Sequence, residues 1–362
     1  MKVLHLEAGR HLYGGARQVV YLLEGLREHD VQNVLVCPTG SAIASAVSPD
    51  VATVRTLPLG GDVDLGAILR LRRVMREEAP DVIHLHSRRG ADTLGALAAL
   101  GLPAKVVLSR RVDNPESRLA IALKYRLYDR VITISEAIGR VLRSQGVAPD
   151  KLACVHSAVR IEDWTAPASR AELEDEFSLQ PGAPVVGMAA QFIRRKGHDI
   201  LLAALPQVIE AFPSLQIILF GKGPEQERMQ HRVVDEGFTH NVLFAGFRDD
   251  LPRWFGVLDM QVHPASAEGL GVALLQGAAA GVPLVACDAG GIGEIVIDGL
   301  TGRLVPPNAA RALADAMLDT LHHPAAAAER ARAAREHLRA QFSIEAMTQG
   351  NLAVYQSLTS TQ

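Results

Sequence analysis

The sequence predicts an α/β protein with two doubly wound, Rossmann-like domains that face a deep cleft, followed by carboxyl-terminal helices. Its 362 residues exceed the size of one ordinary domain. Short apolar runs alternate with amphipathic stretches, which is the pattern of parallel sheets covered by helices on both faces. The alternation restarts after a polar stretch near the middle of the chain. Because ligands of such sheets bind outside the carboxyl ends of the strands, the cleft is the expected site.

The first half, residues 1–163, is predicted to form the first Rossmann-like domain. Buried strands are expected where apolar runs occur, at Val3–Leu6, Asn33–Cys37, Val82–Leu85, Lys105–Leu108, Arg130–Ile134 and Lys151–His156. Helices are expected at Gly15–His29, Leu65–Glu78 and Ser135–Gln145. Residues 164–182 are polar and contain Pro167 and Pro181, which predicts a linker.

The second half, residues 183–340, is predicted to form the second Rossmann-like domain. Its strands are expected at Val185–Met188, Leu215–Phe220, Val242–Phe244, Met260–Val262, Leu284–Ala286 and Gly302–Val305. Its helices are expected at His198–Ala211, Glu225–Gly237, Leu270–Ala280, Ala309–Leu321 and Ala325–Gln341. A last helix is expected within residues 341–362, at Ser343–Ser357, and should pack back toward the first domain.

Composition narrows the class of protein. Hydrophobic residues make up 48% of the chain and the net charge is -3, which favours a large core and disfavours an electrostatic nucleic-acid binder. Cys37, Cys154 and Cys287 have neither metal-ligand spacing nor a disulfide pattern, which fits reducing cytosol. The amino terminus lacks the features of a signal peptide, and no apolar stretch could span a bilayer. We therefore expect a cytoplasmic protein, at most peripheral to the membrane.

Two short segments have the chemistry of phosphate sites. Gly14 and Gly15 follow the first strand and open a helix, whose amino terminus attracts anions; an ordinary tight turn is the alternative. Arg194, Arg195 and Lys196 follow the first strand of the second half. Such a cluster suits a diphosphate, although a solvated basic turn is the commoner fate of charge runs.

The most distinctive sequence motif in the chain is residues 264–286, PASAEGLGVALLQGAAAGVPLVA. Glu268 precedes Gly269, Leu270 and Gly271, and its carboxylate can accept hydrogen bonds from two hydroxyls of a polyol. Gln276 lies eight positions later, a spacing that would put both side chains on one helix face. The alternative is that Glu268 only caps the helix, but that role does not require the Gly-x-Gly that follows.

This segment resembles the carboxyl-terminal signature of glycosyltransferase family 4, a retaining family with the fold called GT-B. Further matches occur in the order expected for that family. They are the early GG loop, DVIHLHS at Asp81–Ser87, ITISEAI at Ile132–Ile138, the R-K-G text, FGKGPE at Phe220–Glu225 and DGLTGRLVPP at Asp298–Pro307. The resemblance covers essentially the whole chain, with members that build bacterial lipopolysaccharide and other cell-surface glycans among the expected relatives.

The resemblance implies that residues 1–163 form the acceptor-side domain and residues 183–340 the nucleotide-sugar domain. It also implies roles for individual residues. Glu268 would bind hydroxyls of the donor sugar, while Arg195 and Lys196 would hold its diphosphate, and these three form the expected catalytic set. Further donor-binding positions would be Gly14, Gly15, Arg194, Gly246, Phe247, Arg248, Gly269, Leu270, Gly271 and Gln276. No metal and no cofactor is expected.

The chain departs from the family pattern at two positions. Gln276 stands where the family usually has a ribose-binding Glu; its amide can still donate and accept hydrogen bonds but carries no charge. Many members carry His near the transferred sugar after the strand read here as VVLSRR, where this chain has Arg110 or Arg111. With His86, these arginines are the expected contacts to the acceptor or the transferred sugar.

The resulting prediction is a retaining, metal-independent hexosyltransferase. The donor would be a nucleotide sugar, with UDP the commonest choice across the family, and the acceptor a carbohydrate or lipid-linked glycan. Alternatives are a nucleotide-sugar epimerase or a phosphorylase on the same fold, or a non-enzymatic module that binds a small ligand. Arginines of the first half, such as Arg70, Arg72, Arg73 and Arg76, suggest contact with an anionic membrane, unless neighbouring acids neutralise them.

Two motifs that suggest a metal are discounted. Asp62-Val63-Asp64 matches a metal-binding D-x-D, but it precedes a predicted helix, where aspartate caps free N–H groups. His84 and His86 face one side of a strand but lack an obvious third ligand, so they are expected to be buried or cleft-lining histidines.

Overall fold

The computed structural model describes residues 1–60, 64–86, 91–113 and 116–360. The chain divides into two compact units. The first comprises Met1–Ala158 and Ile344–Gln362, and the second comprises Val159–Ser343. Within the described ranges, no helix is both long and apolar enough to cross a lipid bilayer.

The first unit contains a seven-stranded sheet in which all neighbouring strands pair in parallel. Its strands are β1 Lys2–Leu6, β2 Gln32–Pro38, β3 Thr53–Leu57, β4 Val82–Leu85, β5 Lys105–Arg110, β6 Arg130–Thr133 and β7 Leu152–Cys154. The spatial order is β3-β2-β1-β4-β5-β6-β7. The direction of winding therefore reverses between β1 and β4, which is where doubly wound sheets bind ligands.

The helices of the first unit follow its strands. They are α1 Gly14–Arg27, α2 Ala42–Ala46, α3 Gly66–Glu78, α4 Ala91–Ala99, α5 Arg118–Lys124 and α6 Glu136–Ser144. Local sequence sets several of their ends. The Ser135 hydroxyl accepts a hydrogen bond from the backbone N–H of Ile138 and caps α6. Ala79 adopts a left-handed conformation that ends α3 immediately before Pro80.

The second unit repeats this plan with six parallel strands. They are β8 Val185–Ala189, β9 Gln216–Phe220, β10 Val242–Gly246, β11 Met260–His263, β12 Leu284–Cys287 and β13 Arg303–Val305. Their order is β10-β9-β8-β11-β12-β13, so this winding reverses between β8 and β11. The helices are α7 Arg170–Phe177, α8 His198–Ala211, α9 Gln226–Asp235, α10 Leu251–Phe255, α11 Val272–Ala280, α12 Ala310–His322 and α13 Pro324–Gln341.

The last helix, α14 Ile344–Thr359, belongs to the first unit. Met347, Val354 and Tyr355 are buried against Val3 and Leu22 of that unit's core. The chain therefore completes its first core with its last helix.

The predicted linker, residues 164–182, is wrong: the segment lies within the second unit, and the units divide between Ala158 and Val159. It contains α7, whose start is fixed by a reciprocal capping box between Ser169 and Glu172. Arg170 bonds to the backbone oxygen of Val257 at 2.9 Å and so ties the helix to the domain. Polarity and proline content suggested a linker because α7 is short and exposes much of its surface.

The sequence reading also missed β3 and α4. β3 is an edge strand with exposed and half-buried residues, so it lacks the continuous apolar run of a central strand. α4 is rich in alanine and largely buried, so it has no polar stripe to give a helical period.

Candidate functional site

Two loops meet where the winding of the second sheet reverses. The loop after β8 contains a short helix at Arg194–Lys196, and the loop after β11 runs from Pro264 to Gly271. Gly197 has a φ of 79°, and a β-carbon there would lie 1.9 Å from the backbone oxygen of Pro264. Only glycine permits this approach. The backbone N–H of Ser266 donates to the Arg195 oxygen at 2.9 Å and joins the two loops.

Glu268 lies at the centre of this junction. Its side chain is nearly buried and forms an ion pair through Oε2 with Nζ of Lys196. His263 Nε2 lies 3.1 Å from the same oxygen, and the backbone N–H of Gly269 donates to Oε1 at 3.2 Å. The loops thus bring together two residues that are 72 positions apart in sequence.

His263 was missed by the sequence reading. It is the last residue of β11 and is 1% exposed. The available signal was a polar residue closing an otherwise apolar run, five positions before Glu268. Such residues at the carboxyl end of a central strand face the ligand edge of a doubly wound sheet.

The electrostatics of the cluster keep Glu268 ionised. Burial raises the pKa of its carboxyl, but the hydrogen bond to His263 and the charge of Lys196 outweigh that effect and lower the pKa to about 2. Burial also lowers the pKa of His263, although the carboxylate opposes that change. A neutral His263 therefore donates its Nε2–H to Glu268, while its buried Nδ1 has no hydrogen-bond partner among the described residues.

Glu268 is not a helix cap, which rules out the alternative role considered for it. α11 begins at Val272, and its N-cap residue, Gly271, has a φ of 101° and makes no side-chain capping bond. The carboxylate instead turns to Lys196 and His263. Among the described residues, none accepts a hydrogen bond from the N–H groups of Val272 and Ala273 at the start of α11, so these two groups are available to an anion.

Gln276 does not share a helix face with Glu268, contrary to the prediction, because Glu268 lies in the loop before α11. Gln276 is partly exposed on the second turn of α11, beside the half-buried Val272 and Ala273. No hydrogen bond to its side chain occurs within the described part of the chain. The contact of Gln276 with the ribose therefore stays a prediction.

The other two cations of the basic segment point to solvent. The Arg195 guanidinium donates to the backbone oxygen of Ala267 at 3.3 Å, beside Glu268. The Arg194 side chain is 86% exposed, with Nε 3.7 Å from a carboxylate oxygen of Glu225. Lys196 is thus the cation fixed inside the cluster, and the two arginines add positive charge at its rim.

Three of the predicted donor-binding positions, Gly246, Phe247 and Arg248, lie at the end of β10. The Gly246 oxygen accepts a hydrogen bond from Gly221 N–H at 2.7 Å. Phe247 is 59% exposed, so its ring is available to stack on a planar ligand. Arg248 is occupied by ion pairs with Asp250 and Glu176. No described contact joins these three positions to Glu268.

In the first unit, the structure brings Arg111 next to the glycine pair. Gly14 and Gly15 open α1, whose N-cap Tyr13 makes no side-chain capping bond. A β-carbon on Gly15 would lie 3.8 Å from Cδ of Arg111. Arg111 also donates to the Ser157 hydroxyl at 3.3 Å. Burial lowers the pKa of its guanidinium to about 10, with the charge of Glu7 opposing the shift, so the group stays charged.

Arg110 differs from its neighbour. It is 3% exposed, and its guanidinium lies 3.1 Å from Glu116, which also contacts Lys124. Lys124 in turn pairs with Asp92 at 2.7 Å. Arg110 is therefore committed to an internal ion network, and Arg111 is the better candidate of the two to contact a substrate.

His86 belongs to a buried cluster with His5 and His84. One ring nitrogen from each lies within 4.8 Å of the others, so His5 supplies the third histidine that the sequence did not reveal. His84 uses both ring nitrogens, bonding Tyr355 at 2.5 Å and Ser109 at 2.8 Å. His5 Nδ1 and His86 Nε2 share a hydrogen bond of 2.9 Å. The cluster is thus held by hydrogen bonds that a metal would have to break.

The D-x-D motif falls partly outside the described residues, because Asp62 is not among them. Asp64 accepts hydrogen bonds from the N–H groups of Gly60 and Ala67 at 2.9 and 3.1 Å. It also pairs with Arg70. The capping role predicted for Asp64 at the start of α3 is confirmed.

Comparison with known proteins supports the resemblance to glycosyltransferases. Residues 13–163 match the family described as Glycosyltransferase Family 4, and residues 183–323 match Glycosyl transferases group 1. The chain is 28% identical to a "Glycogen synthase" of Mycobacterium tuberculosis, over 90% of this chain and 86% of that protein. It is 29% identical to the lipopolysaccharide core biosynthesis mannosyltransferase LpsB of Rhizobium meliloti, over 53% and 57% of the two chains.

A solved structure agrees with the fold. Anabaena Alr3699/HepE in complex with UDP superposes with a TM-score of 0.85 at 20% identity, covering 99% of this chain and all of that one. The two doubly wound parallel units match those of glycosyltransferase structures, so the chain has the GT-B fold. The chain belongs to the group 1 glycosyltransferases, with a family 4 amino-terminal half.

Proposed function

We propose that this enzyme transfers a hexosyl group from UDP-sugar to a carbohydrate or lipid-linked glycan, with retention of the anomeric configuration and without a metal. The observation that carries the proposal is the Lys196–Glu268–His263 cluster at the winding reversal of the second sheet. Its parts supply a fixed anion for sugar hydroxyls and a fixed cation for phosphate.

Glu268 recognises the donor sugar in this proposal. A carboxylate with a pKa near 2 remains an acceptor at neutral pH and can bind two vicinal hydroxyls. His263 holds the carboxylate from one side through Nε2–H. The side chain therefore needs little reorganisation when a sugar binds, which is how a preorganised site gains affinity and rate.

Lys196 and Arg195 stabilise the leaving nucleoside diphosphate, whose negative charge grows as the bond from the anomeric carbon to phosphate oxygen breaks. The free N–H groups at the start of α11 add to this field. Because these groups supply positive potential, the proposal needs no divalent cation.

We propose a same-face reaction as the mechanism of retention. The acceptor oxygen attacks the anomeric carbon from the side of the departing diphosphate, and its proton passes to the leaving phosphate oxygen. The Glu268 carboxylate bonds to Lys196, His263 and Gly269, so the proposal gives it a role in recognition rather than that of a covalent nucleophile.

The substrate assignments draw on relatives. UDP is bound in the HepE structure, and an LPS core mannosyltransferase is among the similar proteins. We therefore propose a role in cell-surface polysaccharide or lipopolysaccharide synthesis at the cytoplasmic leaflet. Arg111 beside Gly15 is the proposed contact to the acceptor or transferred sugar.

A panel of nucleotide diphosphates tests the donor assignment. UDP is expected to raise the thermal midpoint more than GDP or ADP, since a ligand of the folded state stabilises it by mass action. Donor turnover followed by NMR should then give an α-linked product from an α-linked donor, with EDTA present. A larger thermal shift with GDP would mean that the donor carries guanine instead of uracil. A product with inverted anomeric configuration would refute the retaining mechanism.

A further inference from the structure

Helix α3 exposes a row of side chains on the surface of its unit, outside the core. Leu65, just before the helix, is 70% exposed and Leu69 is 73% exposed, the highest values among the large hydrophobic residues described. Arg73 continues the row one turn later with a side chain 82% exposed, and Arg76 follows, also exposed. Residues three or four apart on a helix are neighbours, so these four side chains form one continuous stripe.

The opposite side of α3 already satisfies the core. Ala67, Leu71, Val74 and Met75 are buried, so the helix needs no further apolar contact to fold. A single exposed leucine is ordinary, but two on adjacent turns form a patch. Leu100, 52% exposed, lies close by, because the Arg72 guanidinium donates to its backbone oxygen at 2.6 Å.

The charges beside this patch are only partly neutralised. Asp64 pairs with Arg70, and Glu77 pairs with Arg73. Glu78 is occupied by Lys2 and Arg55 instead of an arginine of its own helix.

Arg72 and Arg76, in contrast, have no acidic partner among the described residues. The hydrogen bonds described for the Arg72 side chain go to the backbone oxygens of Ala98 and Leu100. Arg76 forms no ion pair with any described residue. The expectation that neighbouring acids neutralise the arginines thus holds for Arg70 and Arg73 and fails for these two.

We propose that the outward row of α3, formed by Leu65, Leu69, Arg73 and Arg76, binds the surface of an anionic bilayer. The leucines enter the boundary between headgroups and acyl chains, and the arginines bind lipid phosphates. Two exposed leucines are followed along the row by Arg73 and Arg76, of which Arg76 has no acidic partner among the described residues. This combination matches an anionic bilayer in both polarity and charge. The inference deepens the proposed function, on which it rests for the lipid-linked acceptor that would be reached there.

Co-sedimentation with vesicles tests the surface. The wild-type protein should bind vesicles of phosphatidylcholine with one-third phosphatidylglycerol at low salt, bind pure phosphatidylcholine poorly, and lose affinity as salt rises. L65S/L69S should lower the partition coefficient at least tenfold, and R76Q by several-fold. The matched control is V234S, which alters a side chain 64% exposed on α9 of the other unit and should bind like wild type.

Two further measurements separate the possible outcomes. Light scattering of wild type and L65S/L69S reports mass: a wild-type dimer that the double variant abolishes would make the row a contact between copies and overturn the bilayer proposal. Without vesicles, UDP should raise the thermal midpoint equally in both proteins. If UDP does not shift the midpoint of the wild type, that result counts against the donor assignment alone. Wild-type protein that ignores anionic vesicles at low salt, while still responding to UDP, would refute the membrane surface and leave the transferase proposal standing.

Discussion

Replacing Glu268 by glutamine removes the charge at the centre of the proposed donor site while keeping its shape. The folded carboxyl has a pKa of about 2, against an ordinary value of 4.5. A difference of this size corresponds to roughly 3 kcal/mol of stability at neutral pH. Because the folded pKa is depressed, that stability is fully present above pH 4.5 and is lost as the pH falls toward 2. The variant should therefore be about 3 kcal/mol less stable at pH 7, yet still folded.

The E268Q substitution should lower the rate of transfer by more than its loss of folding stability alone would cause. A hydrogen bond from a hydroxyl to a charged group contributes about 1.5–3 kcal/mol, so losing the charge beneath two sugar hydroxyls predicts a rate loss of roughly 10²- to 10⁴-fold. Thermal denaturation measures the first quantity, and nucleotide release with donor and acceptor measures the second.

The control is E329Q, which changes an acid whose side chain is 73% exposed on α13. It should leave both transfer and stability near wild type. In E268Q, the stability difference from wild type should shrink between about pH 5 and pH 2, because protonated glutamate resembles glutamine. Transfer within a few-fold of wild type, or a stability difference that persists at pH 2, would refute the role assigned to the Lys196–Glu268–His263 cluster.

Three other predictions follow from the structure. Transfer should survive EDTA, since Lys196 and Arg195 supply the charge for the diphosphate; loss restored by manganese or magnesium would contradict this. Q276E should change donor affinity by no more than about tenfold, or roughly 1.4 kcal/mol, in a binding titration, because either side chain accepts from ribose hydroxyls. Y355F should lower the free energy of unfolding in urea by about 1–3 kcal/mol with little change in UDP binding, because it leaves the buried His84 Nδ1 without its partner.

The rhythm of the sequence was enough to predict two doubly wound domains. Central strands such as β1, β4, β8 and β11 are buried on both faces, so each is a short apolar run that is visible without structure. β3 and α4 escaped because one is an exposed edge strand and the other is uniformly small and apolar. The linker was predicted wrongly for a similar reason: a short capped helix such as α7 resembles a loop in composition.

The site was predictable as a set of residue types but not as an arrangement. Glu268 and the basic segment could be selected because glycines and charges at the ends of apolar runs suit a ligand. The pairing of Lys196 with Glu268 could not be predicted from the sequence, because it depends on the order of strands in the sheet. Arg110 and Arg111 are adjacent in sequence, yet only the fold turns Arg110 into an internal ion network and leaves Arg111 beside Gly15.

The sequence by itself determined the fold class and the family resemblance, and it singled out the segment predicted to bind the donor, because local periodicity and short motifs are properties of neighbouring residues. Only the tertiary structure decided which distant groups meet. It joined His263 and Lys196 to Glu268, gave His84 and His86 their third histidine, His5, and returned α14 to the first unit. The physical reason is that burial, pKa and ion pairing depend on neighbours in space, and parallel sheets place residues from remote strands at one edge.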